Sequence, residues 1–300
     1  MKAGVVTGLL AGALVLGGCT STKVGQPTVD AVLHDLAGSA RASYDQGDID
    51  RAGELYERAL DRARLVGDTG EAARNAYNLA LCRLARGRTT DARALLAEAR
   101  VGLPSRGAEA ARVLLAEAEA ARQEGKADDA RLLAERALAS GADRAGRGQA
   151  HLDLADLACG SNDVVSAKRL LSAAEKDLGP SGAPVLQARA AGVAARLAET
   201  AGDALAVAVA REREAEWLRQ AGNHQAMAIA LAAAGESYRK AGQPRKAFPC
   251  LWRAAASLKG GGAMTQAGTA AASAVEAARE AGDKDWVTAA EALVTEVRKP

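Results

Sequence analysis

Four cysteines, three histidines and one serine–lysine pair are the groups in this 300-residue chain whose types could do chemistry, and their spacing removes most of it. Cys82, Cys159 and Cys250 are 77 and 91 residues apart, which is no metal-ligand spacing, and they read as buried or half-buried free thiols. His34, His151 and His224 are as widely scattered, so no local cluster gathers a cation. Ser237 precedes Lys240 by three residues, a spacing at which an amine could take the proton of a nucleophilic hydroxyl. No companion motif accompanies it. The Gly260-Gly261-Gly262 run follows no strand pattern, so it is not read as a phosphate loop. The sequence therefore predicts no enzyme, no metal and no cofactor.

Cys19 stands apart from the other three. A single Lys2 precedes an apolar run over residues 3–16. That run is shorter than the roughly 20 residues a membrane span needs, and it has the form of a signal-peptide hydrophobic region. Leu16-Gly17-Gly18-Cys19 resembles the bacterial lipobox. The resemblance implies cleavage before Cys19 and covalent lipid on its sulfur and new α-amine. Thr20, where Asp would signal retention, implies the periplasmic face of the outer membrane, or the outer face of the plasma membrane in a Gram-positive cell. Residues 1–18 are then a signal peptide and residues 19–28 a lipidated tether. The polar stretch over residues 20–28 reaches at most roughly 30 Å when extended, which would hold the rest of the chain near the membrane.

The elements that must position everything else are helices. Aromatic residues make up 3% of the chain. Ala, Leu, Arg and Glu, all strong helix formers, dominate it. No period-2 alternation of β-branched residues is present, so no sheet is expected. The 39 basic and 37 acidic residues are interspersed at a net charge of +2, which argues against a nucleic-acid stripe or a polybasic membrane segment.

The organising unit is residues 46–60, QGDIDRAGELYERAL. Gly47 can end one helix in the left-handed conformation, and Asp48 can cap the next. Ala52, Tyr56, Ala59 and Leu60 share one face of that next helix. Gly-Asp, then Ala, an aromatic and Ala-Leu in this register resembles the tetratricopeptide repeat. The turn recurs at Gly87, Gly125, Asn162, Gly202, Gly242 and Gly282, in steps of 37 to 40 residues. The resemblance implies a right-handed all-α solenoid of about seven helix pairs, in a variant with repeats longer than usual. Arg211 and Glu214 fall where repeat five should be apolar, and Glu291 marks a terminal cap. The Gly/Pro-rich loop over residues 178–184 divides residues 29–179 (repeats one to four) from residues 180–300 (repeats five to seven). Pro249 inside a predicted helix is expected to kink it.

The resemblance also implies that the first helix of each pair lines a concave groove for a protein or peptide partner. By register its lining is Arg41, Tyr44, Tyr77, Leu81, Leu84, Glu119, Arg122, Asp156, Arg196, Glu199, Glu236 and Arg239. Glu119/Arg122, Glu236/Arg239 and Glu276/Arg279 are spaced to pair along their own helices instead. Trp217, Trp252 and Trp286 are read as core filler or as an exposed patch. The functional expectation is a membrane-anchored interaction scaffold of the bacterial envelope, with neither nucleic acid nor a small-molecule substrate. A cytosolic or inner-membrane regulator, or an enzyme with an unrecognised site, are the alternatives.

Overall fold

A computed structural model describes residues 30–297. Among these residues fourteen helices and no strand are found. They form seven successive pairs: α1 (Ala31–Asp45) with α2 (Ile49–Leu65), α3 (Thr69–Ala85) with α4 (Thr89–Gly102), α5 (Ala108–Gln123) with α6 (Ala127–Ala139), and α7 (Arg144–Gly160) with α8 (Val164–Leu178). The series continues through α9 (Pro184–Thr200) with α10 (Ala204–Gln220), α11 (His224–Lys240) with α12 (Pro244–Gly260), and α13 (Met264–Ala281) with α14 (Lys284–Val297). Each helix packs on the next, giving an all-α helical-repeat solenoid.

The turns explain the regularity. Gly47 has φ +81°, and the Asp48 carboxylate accepts from the Arg51 N–H at 3.1 Å, closing one helix and opening the next. Asn162 takes the same left-handed conformation, with Asp163 capping α8. The structure adds turns between those spaced 37 to 40 residues apart. Gly67, Gly107, Gly141, Gly179, Gly222 and Gly262 are also left-handed, so the punctuation recurs at about half that step. In the C-terminal part a helix of 17 residues and a three-residue turn make up each step.

The core is built from small side chains. Ala52, Ala59, Ala92, Ala99, Ala134, Ala137 and Ala174 are each fully buried where helices meet. Close approach is tightest where α11 meets α12. There a Cβ at Gly235 would lie 2.5 Å from the Leu251 Cγ, so no larger residue fits without displacing Leu251. Leucines fill the remaining space, with Leu60, Leu96, Leu115, Leu152, Leu231 and Leu251 the largest side chains fully enclosed along with two valines and Asn75. One apolar cluster, running from Leu152 through Leu171 and Leu178 to Val193 and Leu197, crosses the loop over residues 178–184. Helix α12 continues through Pro249 without interruption.

Cys82 and Cys250 are buried free thiols and Cys159 is half-buried, as the sequence reading expects. Burial pushes Cys82 and Cys250 up to about 11, so both stay protonated. The signal peptide, the tether and Cys19 lie outside the described residues. Among the described residues, no helix is long and apolar enough to cross a membrane.

Candidate functional site

The stacking identifies the inner face. Helix α3 touches α5, α5 touches α7, α7 touches α9, and α11 touches α13. On the other side only α12 and α14 meet to a comparable degree. Helices on the shorter side of a curved stack are the ones that crowd together, so the odd-numbered helices line the concave face. That face carries the expected groove positions, but they behave differently along its length.

At the N-terminal end the groove is aromatic. Tyr44 on α1 is exposed, and Tyr77 and Leu81 on α3 are half-buried. Neither phenol has a hydrogen-bond partner among the described residues. Desolvation by the surrounding helices raises both, Tyr77 to about 12 against the opposing pull of Arg112, so both hydroxyls remain protonated donors. Arg41 is highly exposed and only loosely paired, its Nε 3.9 Å from Asp45. Leu84 is not part of this lining. It is buried in the core of α1 to α5, because its place on α3 turns toward that core.

The middle of the groove is a chain of ion pairs. The Arg122 guanidinium donates to Glu119 at 2.6 and 2.7 Å, the intrahelical pair its spacing predicts. Gln123 donates to Glu119 at 2.8 Å and to the Leu84 carbonyl at 3.3 Å, tying α5 to α3. From α9, Arg189 donates to Asp153 at 2.6 Å and to Asp156 at 3.1 Å, both on α7. Arg196 also donates to Asp156. Asp153 is buried, and burial pushes its carboxyl up to about 6 although Arg189 pulls the other way. Although burial opposes it, Asp153 and Asp156 keep the Arg189 guanidinium charged. Glu199 accepts from Arg211 on α10 at 3.1 Å. Arg211 also donates to Glu214 at 2.8 Å and leaves its Nε buried without a partner.

The C-terminal end departs from the expected intrahelical pairs. Arg239 is 3.4 Å from Glu236 but makes its short bonds across to α13, at 2.7 Å to Glu276 and 2.6 Å to Glu280. Arg279 bonds Glu291 of α14 at 2.7 Å rather than Glu276. Pairing across helices wins here because each guanidinium meets a carboxylate on the next helix in a fixed geometry. Phe248 stacks on Trp286 with centroids 4.4 Å apart and on Trp252 at 6.0 Å, which places those two indoles in the packing between α12 and α14.

Sequence reasoning missed Asp153 and Arg189. The available signal was register: Asp153 and Asp156 are one turn apart on α7, and Arg189 and Arg196 two turns apart on α9. Ser237 donates to the Ala233 carbonyl one turn back on α11, at 2.8 Å. Among the described residues no group of three His, Cys, Asp or Glu is placed to hold a metal.

Residues 31–100 match the family model of the tetratricopeptide repeat. No curated protein sequence matches the chain. Among solved structures, the apo form of RapI is similar over 89% of this chain and 76% of its own, with TM-score 0.63 and 8% identity. The APC/C hetero-tetramer Cut9-Hcn1 is similar over 87% of this chain and 48% of the matched one, with TM-score 0.56 and 13% identity. BtubC from P. vanneervenii is similar over 77% of this chain and 92% of its own, with TM-score 0.52 and 19% identity. At these identities the likeness is one of fold. It establishes a helical-repeat solenoid.

Proposed function

We propose that this chain is a membrane-anchored interaction scaffold of a bacterial cell envelope, holding a protein or peptide partner in the N-terminal part of its concave groove. One observation carries the reading of the groove. Tyr44, Tyr77 and Leu81 offer apolar surface and unengaged phenol donors, whereas the charged positions from Glu119 to Arg239 are occupied with one another. A partner gains most where it displaces no existing bond, and tyrosine gives large contact area at little cost in side-chain freedom. The anchor is lipid on Cys19, supported by the lipobox resemblance of Leu16-Gly17-Gly18-Cys19. By the same resemblance the site is the periplasmic face of the outer membrane, or the outer face of the plasma membrane in a Gram-positive cell. More than one acyl chain is what makes such anchoring stable.

A photo-crosslinking residue placed at Tyr44 or Tyr77 is expected to yield a discrete adduct, and one placed at Leu132, exposed on the outer side of α6, none. Adducts of equal yield at all three positions would remove the groove reading. Palmitate labelling checks the anchor: incorporation into the wild type and its loss in Cys19→Ala are expected, and equal labelling of both would refute it.

A further inference from the structure

Helix α10 keeps Val207, Ala208 and Ala215 buried but departs from the other second helices at two positions of its inner face and two of its outer face. Counting from the turn residue that precedes each second helix, the ninth and twelfth positions are the buried ones in every pair before the terminal α14 except that of α10. They are Tyr56 and Ala59 in α2, Leu96 and Ala99 in α4, Ala134 and Ala137 in α6, Leu171 and Ala174 in α8, and Leu251 and Ala254 in α12. In α10 they are Arg211 and Glu214. The third and seventh positions face outward, and in α2 they are Asp50 and Glu54. In α10 they are Leu205, 44% exposed, and Val209, 54% exposed. These two help to line an open cleft of about 390 Å³ between α9 and α10, on the side where Arg213 reaches 3.9 Å from Glu175 of α8.

The exposed stripe is complementary to itself. Read from the N-terminal end it runs Asp203, Leu205, Ala206, Val209, Ala210, Arg213: an acid, an apolar middle and a base. Two copies of α10 laid antiparallel across a two-fold axis place Asp203 of each opposite Arg213 of the other and Ala206 opposite Ala210. Leu205 and Val209 then interleave. Alanines at the crossing let the two backbones approach closely, and self-matching of one patch is what an isologous contact requires. We propose that the chain self-associates through this outer face of α10, with a second copy as the occupant. One helix pair covers less than the roughly 1,000 Å² of a stable interface, so the contact is weak and transient. The two end charges set register more than affinity.

The test uses the full chain in its membrane, with oxidative cross-linking. The chain's own described thiols are buried or half-buried, so the wild type gives a low background. Val209→Cys is expected to form a disulfide-linked species of twice the monomer mass. Its yield should exceed by about tenfold that of Leu132→Cys, an exposed apolar position on α6. Adding Arg213→Glu, which sets a carboxylate against Asp203, should lower that yield severalfold. All three positions are exposed, and a circular-dichroism melt confirms that each variant folds. Equal yields from Val209→Cys and Leu132→Cys, a yield untouched by Arg213→Glu, or a product whose mass is that of a different protein would each overturn the proposal.

Discussion

Tyr56 in α2 and Arg211 in α10 occupy the same step of the repeat, nine residues after the turn, and the fold treats them alike. Both lie between helices, yet one is an aromatic filler and the other a guanidinium held by Glu199 and Glu214. The backbone geometry is set by the turns and the small residues around this position. What fills the gap is then free to vary, provided a buried charge brings its partners with it.

The largest expected effect comes from making the first region like the second without its partners. Tyr56→Arg would bury a charge where α2 has no Glu at the twelfth position, and should cost about 4 kcal/mol. Urea unfolding measures this, and a loss under about 1 kcal/mol would mean that α2 can open to admit water. The converse exchange, Arg211→Leu with Glu214→Ala, replaces a half-buried ion pair by the apolar pattern of α8. It should stabilise by about 2 kcal/mol, whereas Arg211→Leu alone should destabilise by leaving Glu214 without its partner. A double-mutant cycle separates the two.

Caps offer a finer comparison. Asp48→Ala and Asp203→Ala each remove the side-chain acceptor for one free N–H, at 3.1 Å and 2.9 Å, and each should cost about 1 kcal/mol. Equal losses would show that the turns contribute the same at both sites despite the difference in what lies between the helices. The smallest effect is a pH dependence between α7 and α9. Folding raises Asp153 to about 6, so the folded state binds its proton more tightly than the unfolded chain does. The stability this contributes is complete below the unfolded value of about 3.9 and is lost as pH rises through about 6. Between pH 7 and pH 5 the wild type should therefore gain melting temperature relative to Asp153→Asn. Parallel melting profiles would show that Arg189 holds Asp153 ionised throughout.

Much of this architecture was legible because alanine, glycine and aspartate repeat with little else competing for the signal. The turn residue of Gly47, recurring as Gly87, Gly125, Asn162, Gly202, Gly242 and Gly282, locates every second helix to within a few residues. Gly67-Asp68 is the dipeptide of Gly47-Asp48 at the turn between two pairs, so a period counted from pair to pair does not fall on it. The groove positions were legible as register but not as chemistry. Spacing alone placed Glu276 beside Arg279, and the structure sends that guanidinium to Glu291 because a neighbouring helix offers a carboxylate. Leu84 failed for a related reason: sequence cannot say which flank of a first helix turns inward when leucines lie on both. The break in the inner face of α10 is visible as two misplaced charges, but its exposed counterpart, Leu205 and Val209, needs the packing to be seen.

The half-step of the turns has a genetic consequence. From Gly202 onward the left-handed glycines fall every 20 residues, at 222, 242, 262 and 282. Excising residues 203–242 would join Gly202 to Gln243 with odd and even helices still alternating, so a shortened array would keep its groove. Excising residues 203–222 alone would join Gly202 to Asn223 just as neatly at the backbone. Every helix after the joint would then exchange sides, and residues made for the inner wall would face out. Insertions and deletions in this chain are thus governed by parity: whole pairs are neutral edits, and a single helix, however well its ends match, turns the remainder of the solenoid inside out.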